Sequence, residues 1–132
     1  MRELLGVLQK NSGIASINYA VGSRGKSDSL HVRTRLVHDG EIVDEAARHA
    51  GMMPVVIATG EGTGYQIQPS AALSPAYVHA VPGKKVNRFQ YFVIRSDRTS
   101  ALSERDKREI ARFFDHLHVL NPRSRMRIVP PE

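Results

Sequence analysis

The side chains best suited to chemistry are arginines at alternate positions. Arg33 and Arg35, with His31, repeat every second residue in one segment, and Arg123, Arg125 and Arg127 do so in another. On a strand, residues two apart share a side at a separation of about 7 Å. That is close to the phosphate spacing of a nucleic-acid strand. Guanidinium suits phosphate because its planar fork donates two parallel hydrogen bonds. If the two segments are sheet neighbours, five arginines share one surface, with Arg24 and Lys26 at its edge. The formal net charge of +6 points the same way, since excess cations favour polyanionic partners. The expectation is a nucleic-acid-binding module that contacts the phosphate backbone of DNA or RNA through a basic sheet face. The plain alternative is two unrelated strands, each solvated on one side. No RNP motif, helix-turn-helix signature or zinc finger is present, so base-specific reading has no support. Tyr19, Tyr65, Tyr77 and Tyr91 are the candidates for base stacking.

A second function class follows from the histidines. His31, Arg33, Arg35 and His38 could form the acid–base cluster of a small metal-independent nuclease, because imidazole titrates near working pH. Strand alternation allies His31 with Arg33 and Arg35 but puts His38 on the opposite face. Glu41, Glu45 and His49 share a helical face, a spacing compatible with a divalent metal but commoner on a solvated helix. His116 and His118 stand about 200° apart on a helix and cannot share an ion there. No metal and no cofactor are expected. A third class is a protein-interaction domain of a larger assembly, with an acidic partner or a second copy of the chain.

Two glycine-rich segments resemble phosphate loops without meeting their requirements. Gly22-Ser23-Arg24-Gly25-Lys26-Ser27 ends in Gly-Lys-Ser, but it is too short between its glycines, and a strand rather than a helix is expected next. Gly60-Glu61-Gly62-Thr63-Gly64 reads as a hairpin tip. No Gly-x-Ser-x-Gly elbow marks a serine nucleophile.

The elements that must position these residues follow from periodicity. Arg2 to Lys10 reads as a short helix, Ile14 to Val21 as a strand, and Leu30 to Val37 as a half-buried strand with a basic outer face. Asp39 caps a helix over 41–50 that Gly51 ends. Pro54 to Thr59 reads as a buried strand and Tyr65 to Gln68 as its hairpin partner. Ser74-Pro75 looks like the start of a short helix reaching Val81. Arg88 to Arg95 is the clearest strand. Ser103 and Asp106 resemble a capping box. The helix behind them carries Ile110, Phe113, Phe114 and Leu117 at i, i+3, i+4 and i+7. Met126 to Val129 reads as a closing strand.

The predicted class is α+β: a mostly antiparallel sheet of five or six strands with three to four helices, mainly on one face. The 132 residues suit one domain, over 1–129, with 130–132 as a disordered tail. With no cysteine, disulfides and thiol chemistry are excluded. No apolar run reaches bilayer length and the first residues do not read as a signal peptide, so we expect a cytoplasmic protein with no membrane partner.

Overall fold

The computed structural model describes residues 1–23, 28–60, 62–69, 76–85, 87–96 and 102–128, with side chains to position 121 in the last segment. The chain forms α1 (Arg2–Leu8), β1 (Ile14–Ala20), β2 (Ser29–Asp39), α2 (Gly40–His49), β3 (Met53–Thr59), β4 (Gly62–Gln68), β5 (Ala76–Pro82), β6 (Arg88–Ser96) and α3 (Glu104–Ile128). The fold is α+β. Among the described residues, one sheet has six strands in the order β1-β2-β6-β5-β4-β3. Every neighbouring pair is antiparallel. A hairpin, β1–β2, makes one edge. Helix α2 then carries the chain to the far edge, and β3 to β6 return as a meander until β6 lies beside β2.

The core follows from alternation on one side and helical periodicity on the other. Leu30 and Val32 of β2 are buried, as are Phe92 and Ile94 opposite them on β6 and Val78 and Ala80 on β5. The expected stripe of α3 lies over this row: Ile110, Phe113, Phe114 and Leu117 are all buried. Phe92 meets Phe113 and Phe114 edge-on, with centroids 5.8 and 5.5 Å away. Burying each such ring contributes roughly 1.5–3 kcal/mol. Ile42, Val43, Ala46 and Ala47 of α2 and Leu4 and Leu8 of α1 join the same cluster. The helices therefore lie mostly to one side, and the opposite face of the sheet carries none of them.

The helix ends obey local chemistry. The Asp106 amide donates to Ser103 Oγ at 3.0 Å, the expected cap of α3. Asp39 stands at the α2 N-cap position, but its carboxylate pairs with Arg88 at 3.2 Å rather than capping the helix. Gly51 follows α2 at φ 83°, a left-handed conformation that glycine adopts without a Cβ penalty.

Three sequence expectations are corrected. Residues 76–82 form strand β5, not a helix: Ala76, Val78, Ala80 and Pro82 are buried and alternate with half-buried Tyr77, His79 and Val81. The apolar run from Pro54 to Thr59 lies in an edge strand, not a buried one, because β4 is the only sheet neighbour of β3 among the described residues. Residues 126–128, expected to begin a closing strand, belong instead to α3, which continues to Ile128. Residues 24–27, Glu61, Ser74-Pro75 and 129–132, on which other expectations fall, lie outside the described residues.

Candidate nucleic-acid interface

The helix-free face of the sheet is built from the positions between the core residues. Strand pairing arranges them in rows. Ser29, Arg95 and Tyr77 form one row, and Asn18, His31, Val93, His79 and Gln66 the next. Ser16, Arg33, Tyr91 and Val81 form the third. Arg33 and Arg95 are exposed, and neither forms an ion pair among the described residues. Four residues along and one strand across separate them, a span of about 14 Å. Asp39, the last residue of β2, is the only carboxylate in any of the six strands, and Arg88 pairs with it.

Tyrosine and histidine fill the space between the cations. The rings of His31 and Tyr91 stack with centroids 5.8 Å apart. His31 Nδ1 is hydrogen-bonded to Tyr91 Oη, and Nε2 lies 3.2 Å from Ser29 Oγ. Both ring nitrogens are thus engaged. At the other end of the sheet, Lys84 and Lys85 of the β5–β6 turn are exposed and line a shallow cavity of about 300 Å³ with Val37, Gly83, Arg88 and Gln90.

The sequence candidates do not all arrive on this face. Arg33 does. Beyond it the β2–β6 ladder shifts register: Arg33 pairs with Tyr91 and His38 with Phe89, so four residues of β2 face Gln90 alone. Gln90 Nε2 donates to the Thr34 carbonyl at 2.7 Å, and Thr34 Oγ1 donates to that of Leu36, closing the bulge. Arg35 is exposed, but its Nε donates to the Ser12 carbonyl at 2.9 Å, which holds the guanidinium beside the α1–β1 connection. Arg123, Arg125 and Arg127 stand on α3, not on a strand next to β2. Positions two apart on a helix are about 200° apart around its axis, so the three do not form a row. Arg24 and Lys26 lie outside the described residues. The Asp28 carboxylate accepts from the Gly22 amide at 2.9 Å and from the Tyr19 hydroxyl. Those two bonds, the hydroxyl's first, hold the Asp28 carboxyl below its ordinary range.

Arg95, Lys84 and Lys85 are absent from the sequence candidates. Arg95 sits at the end of the clearest strand and alternates with Val93 and Tyr91, so period two alone places all three on one face. Nothing in the sequence says that this strand lies beside β2.

The remaining histidines are dispersed. His38 is buried at 3 % exposure on the helix side, where Asn121 Nδ2 lies 2.6 Å from its Nδ1 and also donates to the Val37 carbonyl. It lines an apolar cavity of about 240 Å³ with Ile14, Leu36, Phe114 and Leu117, below the usual range for a ligand site. His49 Nε2 lies 3.5 Å from Glu45 Oε2, and the His49 ring meets that of His116 at 5.3 Å. His118 instead faces Ser12 Oγ at 3.2 Å. No group of three His, Asp or Glu side chains with metal-binding geometry occurs among the described residues.

No protein-family model, curated protein or solved structure matches the chain.

Proposed function

We propose that this protein binds nucleic acid through the helix-free face of its sheet, gripping phosphates with Arg33 and Arg95. Lys84 and Lys85 extend the cationic track at one end, and Arg24 and Lys26 come a few positions before Ser29 in the sequence. Tyr91 lies in the row of Arg33 and Tyr77 in that of Arg95, where an aromatic ring can stack with an unpaired base. Arg123, Arg125 and Arg127 of α3 add sequence-independent attraction. The observation that carries the reading is the segregation of charge: among the described residues the strands hold Arg33 and Arg95 without an ion pair and one carboxylate, already paired, at the end of β2. Contacts to backbone phosphate leave DNA and RNA equally eligible.

A salt titration tests the proposal. Binding of a single-stranded oligonucleotide should weaken linearly in log affinity with log salt, and Arg33→Gln and Arg95→Gln should each lower the slope by about 0.7. No binding at low salt, a flat response, or a double variant that binds as the wild type does would overturn it. The nuclease reading has weaker support, because His31 cannot take a substrate proton without surrendering its bond to Tyr91 or Ser29. Intact RNA and DNA after long incubation with the protein in EDTA would remove it.

A further inference from the structure

We propose that two copies of this chain pair antiparallel through β3, joining their sheets into one. Strand β3 ends the sheet, with β4 on one side and, among the described residues, no strand on the other. Its ladder to β4 runs without a register shift from Met53↔Gln68 to Thr59↔Gly62, whereas those of β1–β2, β2–β6 and β5–β6 are each interrupted. A regular edge offers a row of backbone donors and acceptors to another strand. Pro54 withholds one donor, a residue that sheets tolerate at an edge.

The side chains on this edge are apolar. Met53, Val55 and Val56 are 62, 40 and 61 % exposed. They are three of the seven large hydrophobic side chains exposed among the described residues, gathered within four positions. The opposite edge differs: β1 turns Ala15, Ser16, Asn18 and Ala20 outward, and none is a large hydrophobe.

Charge identifies the occupant as a second copy. Strands β3 and β4, MPVVIAT and GTGYQIQ, contain no Lys, Arg, His, Asp or Glu. A chain of net charge +6 repels its own copies over most of its surface, and this edge is where that repulsion is least. An acidic partner gains nothing from an uncharged edge. Antiparallel pairing of one strand with itself is also self-complementary, the requirement of a two-fold contact. Centred near Val56, it sets Val56 against Val56 and Val55 against Ile57. The two-fold axis is perpendicular to the joined sheet, so the helices of both copies lie on one side and the helix-free faces adjoin on the other. The pairing stands independently of what that face binds.

The test uses the full chain without nucleic acid. Light scattering behind size exclusion should give about twice the 14.7 kDa chain mass at high concentration. Val56→Lys sets two ammonium groups face to face and should weaken the pair at least tenfold while the variant keeps its circular dichroism and thermal transition. Ala15→Lys on the β1 edge should change nothing. Because the chain has no cysteine, Val55→Cys, Val56→Cys and Ile57→Cys give a second readout. At least one should cross-link to its own copy under mild oxidant, and Val119→Cys on α3 should not. A monomer at all concentrations with no cross-link overturns the proposal. So does an assembly that survives Val56→Lys or dissolves with Ala15→Lys.

Discussion

His38 is the residue whose environment departs most from water, and its consequence is a pH dependence. Burial pushes the imidazole down from 6.5 to about 4, with His118 acting in the same direction and Asp39 against it. The folded value lies below the unfolded one, so between them the unfolded chain binds the proton. Stability from this group is complete above about 6.5 and is lost as pH falls towards 4. At 1.36 kcal/mol per pKa unit, the loss reaches about 3 kcal/mol. Urea midpoints at pH 7.5 and 4.5 should therefore differ more in the wild type than in His38→Met. His116, also pushed down by burial and by His49 and Arg112, contributes equally to both, so identical differences would sink the assignment. Asn121→Ala removes the donor to the Val37 carbonyl and the partner of His38 Nδ1, and should cost about 1–3 kcal/mol at pH 7.5. Alternation in β2 is enough to put His38 on the face opposite His31. That its partner comes from position 121 is not legible in the sequence, since no local pattern links segments so far apart.

At the scale of elements, the sequence is readable wherever apolar residues repeat. Strands β2 and β6 and the first half of α3 have that repeat, and they stand where it predicts. The misread elements are those where another signal overrides it. Ser74-Pro75 suggests a helix start, yet Ala76, Val78 and Ala80 carry a buried period of two. The arginines at 123, 125 and 127 have a period of two in charge, but only apolar period reports which face is buried. The run over 53–59 is apolar without alternation, so it fits a buried strand as well as the edge strand it is. One glycine has a structural role that its context hides. Gly64 reads as part of a hairpin tip, but it lies in β4, where an added Cβ would stand 2.7 Å from the Ala80 carbonyl oxygen. Backbone cannot yield as a side chain can, so Gly64→Ala should push β4 from β5 and cost roughly 1–3 kcal/mol. Gly60, with open space around it, provides the contrast: Gly60→Ala should stay within about 0.5 kcal/mol of wild type. Equal thermal shifts for the two variants would contradict this account of the β4–β5 contact.

For the whole molecule the question is whether charge acts through its amount or its placement. A net charge of +6 attracts polyanions from any direction. The fold, however, divides the cations by surroundings. On α3, Arg108 and Arg112 are exposed in a helix that also carries Glu104, Glu109 and Asp115. On the strands, Arg33 and Arg95 have no carboxylate in the rows around them. Replacing either pair by glutamate lowers the net charge equally, from +6 to +2. If amount alone matters, the two double variants bind an oligonucleotide equally poorly. If placement matters, Arg33→Glu with Arg95→Glu abolishes binding at physiological salt. Arg108→Glu with Arg112→Glu then mainly slows association, an effect that disappears as salt shortens the Debye length to about 8 Å. Measuring association and dissociation rates for both variants at two salt concentrations separates the cases, because steering acts on the on-rate while lost phosphate contacts raise the off-rate. Equal off-rates for the two variants would reduce the sheet face to one patch of a generally cationic surface.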